Sequence, residues 1–76
     1  MKISIEYCGT CNYRPIAAGL AMAIKEAVGL EAVLVHSREI GAFEVKVDEE
    51  VVFSKKTSGL FPENSKVIEI VRAKKH

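Results

Sequence analysis

Residues 3–15 read ISIEYCGTCNYRP, and this stretch decides the fold. Ile3, Ile5 and Tyr7 alternate with polar residues, which is typical of a half-buried strand. A helical pattern follows directly. Cys8 and Cys11 lie at this junction and are the only two cysteines of the 76-residue chain.

The junction predicts a redox pair. A helix start gathers unpaired backbone N–H groups and the positive end of the helix dipole. A thiol there ionises more easily, and the thiolate is the reactive form. We therefore expect one of Cys8 and Cys11 to titrate clearly below the ordinary value of about 8.5. Gly9 is expected to give the backbone freedom that a tight turn between the sulfurs needs.

The chain after the cysteines predicts a helix from about Asn12 to Val28. Pro15 falls in its first turn, where a missing N–H costs nothing. Gly29 is a suitable C-terminal stop. A stripe at helical spacing is expected to face a sheet; it comprises Ile16, Leu20, Ile24 and Ala27.

The next segments predict strands. Residues 32–35, Ala-Val-Leu-Val, are continuously apolar, so they suit a strand covered on both faces that runs parallel to the first. Residues 43–47 alternate and predict a half-exposed strand. A turn at 48–50 returns the chain through residues 51–54. After a loop at 57–59, a last helix carries apolar residues at 67, 68, 70 and 71.

The order of elements predicts an α/β fold of β-α-β-β-β-α type, with a four-stranded mixed sheet and two helices in a single domain spanning residues 1–76. This is the minimal thioredoxin-like arrangement, with the dithiol after the first strand. A Cys-X-X-Cys motif beside a βαβ pattern in a cytosolic protein indicates a redox function.

Composition excludes several other classes. The formal net charge of +1 gives no field strong enough for a nucleic-acid surface. The longest apolar run, residues 16–24, is shorter than the ~20 residues that span a bilayer, and no secretory signal pattern is visible. We expect a cytoplasmic protein without membrane or nucleic-acid partners, where thiols are kept reduced and a structural disulfide is a poor explanation for the pair.

Four stretches carry a resemblance to a known family. They are YCGTCNYRP at 7–15, GAFEV at 41–45, FSKK at 53–56 and GLFP at 59–62. With their spacing they cover nearly the whole chain, which resembles the selenoprotein W-like Rdx family of thioredoxin-like proteins. Some members carry selenocysteine at the second motif position, here Cys11; this chain resembles the all-cysteine members.

The resemblance implies a thiol-disulfide oxidoreductase or redox carrier. Its substrates would be protein or glutathione disulfides, and its reductant a thioredoxin-like protein or glutathione, without a bound cofactor. The chain departs from the family where Glu49 and Glu50 replace an expected glycine in the hairpin turn. It departs from thioredoxin where Ile40 and Gly41 stand in place of a cis-proline, so thioredoxin's clients do not carry over.

The sequence does not decide which of the two sulfurs attacks the substrate first. Position favours Cys8, which lies outside the helix start and is expected to be the more exposed. The family comparison favours the second position, Cys11. The neighbours Tyr7, Gly9, Thr10, Tyr13 and Arg14 are candidate site residues. Arg14 is the nearest cation and would favour a thiolate, whereas core packing explains the two tyrosines better than a catalytic role.

Two alternative functions remain. In the first, the protein is an interaction module whose dithiol senses oxidation, with little turnover. In the second, the dithiol binds a metal. Zinc sites usually take four ligands, and beyond one cysteine pair the chain offers only His36 and His76, which nothing in the sequence places nearby. We therefore expect no metal.

Overall fold

A computed structural model describes residues 2–74. The chain forms four strands and three helices in the described region. In chain order they are β1 (Ile3–Cys8), α1 (Arg14–Val28), β2 (Ala32–Ser37), β3 (Phe43–Val47), β4 (Glu50–Ser54), α2 (Lys55–Ser58) and α3 (Asn64–Lys74).

The sheet is mixed and has the strand order β2-β1-β3-β4. β1 runs parallel to β2, with Cys8 opposite Ser37. β1 pairs antiparallel with β3, and β3 with β4. The predicted α/β mixed sheet of four strands is confirmed. The expected number of two helices is wrong, because the single turn α2 follows β4; four polar residues offer no apolar period to predict it.

The core fills the space between one face of the sheet and the helices α1 and α3. The buried residues of α1 are Ala17, Leu20, Ile24 and Val28. The sheet and α3 contribute Ile3, Ile5, Tyr7, Phe43, Val45, Val47, Val67 and Val71. The predicted stripe is correct at Leu20 and Ile24 but wrong at Ile16, which is 40% exposed, because the small Ala17 faces the sheet instead.

Strand β2 is not covered on both faces, which corrects the prediction for residues 32–35. It lies at the edge of the sheet. Both long helices pack on one side, so Ala32 and Leu34 pack against the core while Val33 and Val35 face away from it. A continuous apolar run therefore indicated burial that this two-layer architecture does not provide.

The hairpin turn between β3 and β4 forms without glycine. Asp48 and Glu49 both have positive φ, 51° and 71°, as a two-residue type I′ turn requires. The Lys2 N–H donates to the Asp48 carboxylate at 2.8 Å, and the Asp48 N–H donates to the Lys2 carbonyl at 2.7 Å. These two bonds hold the turn, and Glu50 already belongs to β4.

Among residues 2–74, no helix combines the length and the apolar character that a bilayer crossing requires.

Candidate functional site

The two cysteines flank a turn at one end of the sheet. Cys8 is the last residue of β1, and its N–H donates to the Ala42 carbonyl at 2.8 Å. Residues 9–12 form the turn, and α1 begins only at Arg14. The cysteines therefore precede the helix, two residues farther from its first turn than the sequence predicts.

The exposure of the two sulfur-bearing residues is the reverse of the prediction. Cys8 is 2% exposed, whereas Cys11 is partly exposed, and both are free thiols. Cys8 is buried with the apolar core residues, but it lies outside the main cluster that packs between the sheet and the helices. It is shielded at the end of the sheet by its own turn and by the loop before β3, because β1 continues one residue further than the pattern indicated.

The environment of Cys8 lowers its pKa from 9.0 to about 6. The largest cause is a hydrogen bond from the Cys11 side chain, followed by one from the Thr10 hydroxyl, whose oxygen lies 3.2 Å from the Cys8 sulfur. The backbone N–H groups of Gly41 and Cys11 also donate to the sulfur, while desolvation acts in the opposite direction. Hydrogen bonds to the thiolate favour the charged form. An acidic thiol was predicted, but its cause is this set of donors and not the start of α1.

Gly41 is a site residue that the strand and helix patterns did not reveal. It has φ of 82°, a conformation that favours glycine, and it directs its N–H toward the Cys8 sulfur. The signals that marked it came from the family resemblance, namely the Gly-X-Phe-Glu-Val stretch and the departure from thioredoxin at Ile40 and Gly41.

Gly9 is needed for packing and not for an unusual turn conformation, which corrects the prediction. The left-handed residue of the turn is Asn12, with φ of 59°. A Cβ on Gly9 would overlap the imidazole of His36, whose ring lies against the turn and 5.8 Å from the Tyr7 ring. His36 thus forms one wall of the dithiol turn.

This contact predicts the effect of Gly9→Ala. We expect a loss of up to about 1 kcal/mol in the free energy of unfolding, because the added methyl displaces the exposed imidazole from the turn. Adding His36→Ala should restore most of the loss, since the two changes share one contact. Urea denaturation of the two single variants and the double variant measures this coupling.

Gly19→Ala is the matched control. A Cβ there meets nothing within 4 Å, and Gly19 lies inside α1. It should stabilise the protein by about 0.5–1 kcal/mol. If Gly9→Ala behaved like Gly19→Ala, the described contact with His36 would be refuted.

The remaining predicted neighbours divide between the site and the core. The Arg14 guanidinium donates to the Tyr7 hydroxyl at 3.3 Å and is not among the groups that lower the Cys8 pKa. Tyr13 packs edge-to-face on Phe61 with ring centroids 4.8 Å apart, and Phe61 packs on Phe43 in turn. Tyr13 therefore anchors the start of α1, as core packing predicts for it.

Two clefts flank the dithiol turn. One of about 490 Å³ is lined by Tyr7, Gly9, Thr10, Arg14 and His36. The other, of about 310 Å³, lies along the loop before β3 and includes Ile40, Gly41 and both lysines of α2. Both clefts contain charged or polar side chains.

No cluster of three or more potential metal-ligating side chains occurs among residues 2–74. His36 lies on the turn beside Gly9, and His76 lies outside the described residues.

Known proteins resemble this chain in sequence and in fold. The model of the Rdx family matches residues 2–73. Migration and invasion enhancer 1 of Bos taurus and of Mus musculus are each 37% identical over 75 residues, which cover 95% of this chain and 63% of theirs. The chain thus spans less than two thirds of these relatives.

Two solved structures match over nearly their whole length. A protein from Bordetella parapertussis superimposes with a TM-score of 0.91 at 26% identity, covering 97% of this chain and 96% of that one. A selenoprotein W-related protein from Vibrio cholerae gives a TM-score of 0.81 at 28% identity, covering 96% of each chain. The chain belongs to the Rdx family, a thioredoxin-like, redox-related group that includes selenoprotein W-related proteins, and its Cys8–Cys11 pair fits the Cys-X-X-Cys motif.

Proposed function

We propose that the protein is a thiol-disulfide oxidoreductase that uses Cys8 and Cys11. The observation that carries the proposal is the division of properties between the two sulfurs. Cys8 is shielded and acidic, whereas Cys11 is partly exposed and donates a hydrogen bond to Cys8. A dithiol whose members differ in this way is suited to one intermolecular and one intramolecular step.

Cys11 is the sulfur that meets the substrate in this proposal. Attack on a disulfide requires the incoming sulfur to come within bonding distance, and the 2% exposure of Cys8 leaves little room for that. Acidity alone does not decide the choice, because a lower pKa raises the thiolate fraction but lowers the intrinsic nucleophilicity of the thiolate. The family comparison, which favours the second motif position, agrees.

The exchange then balances as follows. Cys11 passes its proton to the Cys8 thiolate and attacks a substrate disulfide, and the first substrate thiolate leaves and takes a proton from water. Cys8 releases its proton to solvent and attacks the Cys11 sulfur, so the second substrate thiolate leaves and takes a proton from water. The protein gains a Cys8–Cys11 disulfide, and the substrate disulfide becomes two thiols.

We propose glutathione as a substrate or reductant, and protein disulfides as further substrates. The cleft beside the turn contains the Arg14 guanidinium and the His36 imidazole, next to the Thr10 hydroxyl. These groups suit the carboxylates of a small acidic thiol.

A thiol reductant that resets the disulfide fits a reducing compartment, so we propose that the protein acts in the cytoplasm.

The test is turnover on a glutathione mixed disulfide. Reduced protein is mixed with a glutathionylated model peptide, excess glutathione, glutathione reductase and NADPH, and the oxidation of NADPH is followed. We expect sustained consumption proportional to protein concentration. Oxidation of the dithiol without repeated turnover would favour the redox-sensing alternative, and no reaction of either thiol would refute both.

A further inference from the structure

The exposed edge of β2 has none of the features that usually prevent pairing with another strand. Edge strands are commonly protected by proline, lysine, a bulge or covering elements. The sequence of β2, AVLVHS, contains no proline or lysine, and its pairing with β1 is regular along all six residues. This edge is therefore open for strand addition.

The opposite edge of the sheet is protected. Its strand, β4, pairs with β3 through a register shift between Val45 and Lys46, which marks a bulge or irregularity. Its first residue, Glu50, accepts a hydrogen bond from Lys74 of α3 at 3.2 Å. The contrast between the two edges singles out β2.

Apolar surface borders the β2 edge on both faces of the sheet. Val33 and Val35, on the face without helices, are 54% and 38% exposed. On the helix side, a groove of about 290 Å³ runs between α1 and β2. Met22, 65% exposed, lies in its lining together with Ala18, Ala21, Ala32 and Leu34, and the Lys25–Glu31 ion pair lines it as well. A partner strand at this edge would cover both surfaces at once.

We propose that the β2 edge pairs with the same edge of a second copy of this chain. The two strands run antiparallel about a two-fold axis perpendicular to the sheet and centred on Leu34, which joins the two sheets into one of eight strands. Such an interface is self-complementary, as closed dimers require. On the face without helices, Val33 of each copy then lies opposite Val35 of the other.

Charge supports the antiparallel direction and the register. Glu31 precedes β2 and Arg38 follows it, and both are exposed. Glu31 also forms an ion pair with Lys25 of its own chain at 3.0 Å, and its charge stays at the surface. Antiparallel strands bring the acidic start of one copy near the basic end of the other, whereas parallel strands would bring like charges together. Centring the axis on Val35 instead would place Glu31 opposite Glu39 and lose both Val33–Val35 pairs.

The first test is the oligomeric state in solution. Analytical ultracentrifugation of the reduced chain from 1 µM to 1 mM should show conversion from 8.4 kDa to twice that mass. Val33→Lys should remove the dimer throughout this range, because it places a charge at the seam. Val51→Lys is the matched control: Val51 is similarly exposed, at 47%, but lies on β4, so the dimer should persist.

Cross-linking tests the register independently of the lysine variants. In a Cys8→Ser, Cys11→Ser background, Val33→Cys with Val35→Cys should form a covalent dimer under mild oxidation, since directly opposed residues lie within disulfide range. Val33→Cys alone should not form a covalent dimer under the same conditions. A wild-type chain that stays monomeric at 1 mM, or a dimer that Val51→Lys disrupts and Val33→Lys does not, would overturn the proposal, whichever result turnover on glutathione mixed disulfides gives.

Discussion

Replacing Cys8 by Ser is expected to lower turnover about 100-fold or more and to leave the substrate covalently attached to Cys11. The variant retains the partly exposed sulfur that meets the substrate but lacks the one that releases it. Reduced Cys8→Ser protein, mixed with glutathione disulfide in the absence of other reductants, should gain one glutathionyl group in the mass spectrum. Wild-type protein should instead lose two hydrogen atoms as the Cys8–Cys11 disulfide forms.

Cys11→Ser is the matched variant for the same experiment. It keeps the shielded Cys8, so we expect little adduct, and turnover should fall about 100-fold or more in either single variant. The double variant should be no worse than the single ones, because residues that act as a unit are not additive. A rapid adduct on Cys8 in Cys11→Ser protein, with none on Cys11 in the other variant, would reverse the assigned roles.

The second large effect concerns pH. The Cys8 pKa of about 6 means that roughly nine in ten molecules carry the thiolate at pH 7, against a few per cent for an ordinary free thiol. Thiolate absorbance near 240 nm, with the Cys8→Ser signal subtracted, should rise with a midpoint near pH 6 in the folded protein. The midpoint belongs to the coupled Cys8–Cys11 pair.

Stability follows from the same shift. The folded pKa lies below the unfolded value, so the thiolate stabilises the reduced protein fully above the unfolded value of 9.0 and loses this contribution as the pH falls through about 6. The difference in unfolding free energy between wild-type and Cys8→Ser protein should therefore increase from pH 6 to pH 9. Thr10→Val should raise the midpoint by removing one donor. A wild-type midpoint at or above 8.5 would contradict the donor arrangement at the sulfur.

The fold could be predicted from sequence where side-chain periodicity reflects burial on one face. The alternation of Ile3, Ile5 and Tyr7, and the spacing of Leu20 and Ile24, set the first strand, the first helix and their packing. Periodicity does not report how many layers cover a sheet. For this reason the apolar run of β2 indicated a central, covered strand, whereas the structure has an edge.

The location of the candidate site could be predicted from the sequence, but the burial of Cys8 and the hydrogen bonds to its sulfur could not. The spacing of Cys8 and Cys11 located it, but the sequence did not show that β1 extends far enough to shield Cys8. Nor did it show that the loop before β3 supplies the Gly41 N–H as a hydrogen-bond donor, or that the His36 ring lies against Gly9. These are long-range contacts, and a local pattern does not encode them.

One donor to the Cys8 sulfur is the main-chain amide of Gly41. Exchange of one ordinary side chain for another cannot delete it, and the φ of 82° discourages any side chain there. Substitutions can remove the side-chain contributions of Thr10 and Cys11, but the main-chain donor disappears only if the backbone path changes or the N–H itself is lost. Part of the lowering of the Cys8 pKa therefore depends on the backbone conformation of the fold. A related protein without the Thr10 hydroxyl would still retain that part.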